Sequence, residues 1–175
     1  DRGTLSLLAR VLTLSGLSMG IAGESSPASG TEHIISHLID MSADSRGKNV
    51  AFHGAQVAVG AIMTSIAWDF FLKEFDPSKV DIDRCFPGHE EMKPKVYAAF
   101  SWLDKDQHAA SECWSDYEKK LTKWHSAQES FRSFLNNWDS FKEEAEKKTL
   151  SPEYLCECMH TAGAPTRYSR LTPEI

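Results

Sequence analysis

Apolar positions recur at helical spacing along most of the chain. Leu5, Leu7, Leu8, Val11, Leu12, Leu14, Leu17, Met19 and Ile21 leave residues 4–22 apolar on nearly every side. That pattern predicts a buried helix rather than a surface one. Gly16, Gly20 and Gly23 thin its end, and a helical Gly costs about 1 kcal/mol relative to Ala. The glycines therefore predict close approach of another backbone or a ligand. Residues 24–30, ESSPASG, read as a loop; Pro27 suits the first turn of the next helix, with Ser25 or Ser26 as its N-cap. That second helix is expected over 28–42, with His33, Ile34, His37, Leu38 and Met41 along one face. After a polar turn at 43–48, Val57, Val59, Ile62, Met63, Ile66, Phe70 and Phe71 predict a long helix over 50–75. It ends at Asp76-Pro77, because proline disfavours helical geometry in the residue before it.

An irregular link is expected over 76–93 and a short helix over 94–103. Residues 109–148 are the clearest amphipathic segment. Trp114, Tyr117, Leu121, Trp124, Phe131, Leu135, Trp138, Phe141 and Ala145 recur at spacings of mostly three, four and seven, opposite a Lys/Glu face. The segment reads as one long helix or as two broken around Asn136-Asn137, and its aromatic stripe reads as core. Ser151-Pro152-Glu153 opens a last helix running to about 161, and residues 162–175 read as loop. No stretch alternates as a strand would. The pattern predicts an all-α helical bundle forming one domain over 1–175.

Composition narrows the function. A formal charge of −6 argues against nucleic acid as the main partner, since that requires a basic face. Residues 5–21 come closest to a membrane span, but Arg10, glycines and hydroxyl residues interrupt them, so no span and no signal peptide are expected. Four cysteines in 175 residues do not make a disulfide framework and point to a reducing, cytoplasmic setting. Cys156 and Cys158 with His160 lack the spacing of common zinc knuckles, and the two read as ordinary core cysteines.

The chemistry gathers at the histidines. His33 and His37 lie four apart and share a helix face, and His53 precedes Gly54 at the start of the next apolar run. Three histidines amid Gly, Ser and Ala can hold a divalent metal, which would act as a Lewis acid on a hydroxyl or carbonyl. To share one ion at bonds of about 2.1 Å, nitrogens of two of them must lie within about 4–5 Å of each other. Glu32 and Asp40 are the nearby acids, and on a helix their directions differ from that of His33.

The run P-x-S-G-x-E-H-x-x-x-H over residues 27–37, followed by H-G at His53-Gly54 and by A-G-A-P-T at 162–166, carries a resemblance. It is similar to the C-terminal half of the sn-glycerol-1-phosphate dehydrogenases, in the iron-containing alcohol dehydrogenase and dehydroquinate synthase-like superfamily. The resemblance is dense over about 15–65 and weak over 76–150. It implies a metal-dependent, NAD- or NADP-linked oxidoreductase interconverting dihydroxyacetone phosphate and glycerol-1-phosphate. By the same resemblance His33 and His53 are metal ligands, to zinc first and to nickel or iron otherwise. His37 is the active-site histidine that contacts substrate or relays a proton, and Ser25, Ser26 and Ser29 fall in the substrate-facing loop.

The resemblance also implies that the Rossmann-like nucleotide domain, with its Asp ligand, lies outside these residues in an N-terminal domain or separate subunit. The 175 residues would then be inactive alone, binding nicotinamide weakly or not at all, and would work in a homo-oligomer. Ser26 stands where many relatives carry Arg, a natural phosphate partner, and Ala55 stands where they carry an acid. Two alternatives follow: a glycerol or polyol dehydrogenase acting on an unphosphorylated substrate, and a non-catalytic helical interaction domain using residues 109–148.

Overall fold

A computed structural model describes residues 2–103 and 105–171. Among them the chain forms eight α-helices: α1 (Arg2–Ala22), α2 (Thr31–Ser45), α3 (His53–Glu74), α4 (His89–Phe100), α5 (His108–His125), α6 (Gln128–Asn136), α7 (Trp138–Lys148) and α8 (Pro152–Thr161). Three short 3-10 turns, at Pro77–Lys79, Asp83–Cys85 and Tyr168–Arg170, complete the described residues, and no strand occurs among them. The protein is all-α, as its periodicity predicts.

Helix α3 is the central element. It packs along α2 on one side and against α8 on another. Ala58, Val59, Ile62 and Leu72 of α3 are buried. The contact with α2 is close because of Gly60. A Cβ there would stand 2.7 Å from the Glu32 carbonyl oxygen and 3.1 Å from its Cα, so only glycine lets the two backbones come this near. Ser65 of α3 donates its hydroxyl to the Leu150 carbonyl at 2.6 Å, tying down the entry to α8. That entry is capped as the sequence predicts: the Ser151 hydroxyl accepts the Tyr154 N–H at 3.2 Å.

Aromatic residues from the end of α3, the link before α4, and α5 to α7 form one packed string. Trp138, 5% exposed, meets Phe71 at 5.2 Å and Phe75 at 4.6 Å from α3 and its end. It also meets Phe134 and Phe141 at 5.6 and 5.7 Å. Phe131 and Phe134 carry the string to Trp124, on which Phe86 stacks at 5.0 Å. Two hydrogen bonds fix the link before α4: Trp124 Nε1 donates to the Cys85 carbonyl at 2.7 Å, and His125 Nε2 to that of Pro87 at 2.8 Å.

Several expectations are corrected. Residues 109–148 form three helices, with breaks at Ser126-Ala127 and at Asn137. Helix α4 begins at His89, inside the expected irregular link, and holds Pro94 within it. Helix α2 begins at Thr31 behind an N-cap at Gly30, not near Pro27. The Ser25 carbonyl accepts the N–H groups of Ala28 and Ser29, so ESSPASG closes a turn of its own first.

The largest correction concerns α1. It contains no buried residue and packs substantially against no other helix; Leu5 is 66% and Ile21 89% exposed. Apolar side chains around a helix show that it needs a partner, and the described residues supply no substantial one. Unbroken over 21 residues, α1 is also long and apolar enough to cross a bilayer by length and composition alone, as is the partly buried α3. Core helices meet the same test. The loop expected over 162–175 is observed to Leu171 apart from one 3-10 turn; residues 172–175 lie outside the described residues.

Candidate functional site

The first turn of α2 organises His33. The Glu32 Oε1 atom accepts the Gly30 N–H at 2.8 Å and lies 2.8 Å from His33 Nδ1. Partial burial pushes the Glu32 carboxyl up, but hydrogen bonds from His33 and from the Glu32 and Gly30 backbone outweigh it and hold the group below its ordinary value. Glu32 is therefore a carboxylate, which only accepts, so His33 Nδ1 is the donor. A neutral imidazole carries one N–H, so its Nε2 is bare. This carboxylate–histidine pairing is the arrangement that orients histidine ligands in metal sites. The sequence had set Glu32 aside because its direction differs from that of His33; at the helix start its side chain folds back onto the ring.

His53 is the first residue of α3. Its ring lies 5.2 Å from that of His33, centroid to centroid, with the planes at 53°. The close α2–α3 contact at Gly60 places these two residues, 20 apart in sequence, side by side. Behind His53 runs a polar chain. Its Nδ1 is 3.1 Å from the Ser36 hydroxyl, which donates to Gln56 Oε1 at 2.6 Å. Gln56 Nε2 donates to Asp40 Oδ1 at 2.6 Å and to the Ala51 carbonyl at 3.0 Å. Ser36 and Gln56 are both fully buried. Neither stood out in the sequence; Asp40 did, and was discounted for its direction.

The other predicted residues are more open. Ser25 and Ser26 are exposed and Ser29 is half-buried in the turn before α2. His37 is exposed and lines a groove of about 470 Å³ between α2, α4 and α5, with Met41, Phe100, Tyr117 and Lys120. A second cavity, of about 600 Å³, opens beside Phe52 and Ala55 at the start of α3. It is walled by His160, Pro165, Arg167 and Arg170, so the A-G-A-P-T segment returns beside the start of α3. Cys156 and Cys158 are free thiols on α8.

Among the described residues, no group of three or more His, Cys, Asp and Glu side chains converges on one ion position. The donor set of His33 and His53 nevertheless fits a divalent ion of borderline softness, which takes neutral imidazole nitrogen.

The chain is similar in sequence to proteins named glycerol-1-phosphate dehydrogenase (NAD(P)+). With that of Korarchaeum cryptofilum it is 49% identical over 57 residues, covering 33% of this chain and 18% of the relative. With that of Halorubrum lacusprofundi it is 52% identical over 58 residues, 33% of this chain and 15% of the relative. With that of Staphylothermus marinus it is 46% identical over 59 residues, 34% and 16% respectively. The matches thus span less than a fifth of the length of these relatives. No family model matches the chain. No solved structure matches it. A third of the chain is homologous to glycerol-1-phosphate dehydrogenases, in keeping with the resemblance its motifs carry.

Proposed function

We propose that these 175 residues are the metal- and substrate-binding part of an NAD(P)-dependent oxidoreductase interconverting dihydroxyacetone phosphate and glycerol-1-phosphate. The observation that supports this most is the pairing of His33 and His53 at 5.2 Å, with His33 Nε2 left bare by Glu32. His33 and His53 are the metal ligands, and zinc, which takes neutral imidazole nitrogen, is the ion assigned to them, with nickel or iron as alternatives. A divalent ion held there supplies Lewis-acid polarisation of the substrate C–O group. The remaining ligand and the NAD(P) pocket belong to a nucleotide-binding domain outside this chain, with which it works in a homo-oligomer in the cytoplasm.

His37, one turn along α2 from His33 and open to solvent, takes the role of proton relay or substrate contact. Ser25, Ser26 and Ser29 offer hydroxyls to the substrate from the adjoining turn. Ser26, where many relatives carry Arg, favours a second reading with an unphosphorylated polyol as substrate.

Metal content tests the reading. The purified chain should take up about one zinc per molecule, and His53→Ala should abolish uptake while leaving far-UV circular dichroism unchanged. Calorimetry on the same chain should show no NADH or NADPH binding. Zinc uptake that survives His53→Ala would overturn the assignment.

A further inference from the structure

We propose that Ser36, held by Gln56 and Asp40, is a positioning residue that fixes His53 in the tautomer with its proton on Nδ1, leaving Nε2 bare. The purpose of the device rests on the metal reading above; the tautomer does not.

The proton positions follow from the far end of the chain. The Asp40 carboxylate and the Ala51 carbonyl are acceptors only, and both meet the same end of the Gln56 side chain, at 2.6 and 3.0 Å. That end is therefore the NH₂ group, since a flipped amide would set its oxygen against two other acceptors. The Gln56 oxygen then faces Ser36 at 2.6 Å. An amide oxygen has no proton to give, so the single hydroxyl proton of Ser36 goes to it. What remains on the Ser36 side facing His53 is a lone pair, 3.1 Å from Nδ1. Nδ1 must bring the proton, and in a neutral ring Nε2 then carries none.

Burial makes this directional. Ser36 and Gln56 are 0% exposed, so no bulk water can replace a missing partner, and an unpaired buried polar group is costly. A reversed chain would turn the Gln56 oxygen onto the Asp40 and Ala51 oxygens, opposing acceptors at two positions, and would leave one Gln56 N–H unpaired. His33 obtains the same result by a shorter route, with Glu32 alone. Two different supports thus leave Nε2 as the free nitrogen on both rings, the form needed for metal ligation.

Long-range ¹H–¹⁵N spectra of the metal-free chain, labelled at histidine, read this directly. They are recorded at pH 8.5, well above the ~6.5 of an ordinary imidazole. His53 should carry its proton on Nδ1, and Ser36→Ala should redistribute it towards Nε2. Zinc affinity of Ser36→Ala should fall by about 10- to 100-fold, the usual effect of losing such a support. A proton on Nε2 in the unsubstituted chain overturns the proposal, and that spectrum decides the matter even if Ser36→Ala fails to fold. An unchanged Nδ1 proton in folded Ser36→Ala overturns it too. If the tautomer is as stated and no zinc binds, the metal reading falls while the assignment to Ser36 stands.

Discussion

At the scale of single residues, Gly60 decides whether the two histidines can meet. Alanine is the better helix former by about 1 kcal/mol, so on propensity alone Gly60→Ala should stabilise α3. The contact argues the reverse, because the new methyl would meet the Glu32 backbone at 2.7 Å, and backbone cannot swing aside as a side-chain tip can. We expect Gly60→Ala to lower stability by about 1–3 kcal/mol, the usual cost of overpacking, in urea unfolding. Zinc affinity should fall with it, because His33 follows the residue that is pushed. A gain in stability would show that the helices part freely. Little of this was legible beforehand. His33, His37 and His53 were visible as a cluster, but the sequence spaces His33 and His37 as neighbours on a face. The resemblance, unlike the spacing, groups His33 with His53 and sets His37 apart, and the structure places the His33 and His53 rings 5.2 Å apart with His37 lining an open groove. Ser36 and Gln56 were invisible because their role depends on a helix pairing that periodicity does not specify.

At the scale of elements, spacing located helices well and their ends poorly, for physical reasons. Leu121, Trp124 and Phe131 keep helical spacing across Ser126-Ala127, so the break between α5 and α6 leaves no trace in the apolar pattern. The Asn137 break was legible because two Asn residues interrupt good helix formers. At α2, the Pro27 signal was outcompeted by a turn closed on the Ser25 carbonyl. The spacing predicts a helix only from residue 94, yet α4 starts at His89 and runs through Pro94, with Glu90 and Glu91 in the favourable first turn. As the sixth residue of the helix, and exposed, Pro94 removes a backbone hydrogen bond without visible recompense. Pro94→Ala should therefore raise stability by about 1–3 kcal/mol, within the ~3 kcal/mol gap between these residues in a helix interior. A higher urea midpoint with unchanged slope would bear this out, and a lower one would mean that the proline shapes the turn into α5.

At the scale of the whole molecule, the helical class was legible and the core in part, since Val59, Ile62, Trp114 and Trp138 are buried while Met63, Ile66 and Phe70 are exposed; the standing of α1 was not. An apolar helix is predicted to be buried whatever it is buried against, and here the described residues offer it no layer. Its removal should therefore cost the remainder almost nothing: deleting residues 1–22 should shift the unfolding free energy by less than about 0.5 kcal/mol, as for sites outside the packed structure. A larger loss would mean that α1 braces α2 or α3. The aromatic string has a separate consequence, for light rather than for stability. Trp68, Trp102, Trp114, Trp124 and Trp138 all lie beyond the histidine pair in sequence, and Trp138 sits among phenylalanine rings while Trp102 is 52% exposed. Intrinsic emission is thus a built-in beacon for the packing of α3 to α7, and His33 and His53 work in its shadow.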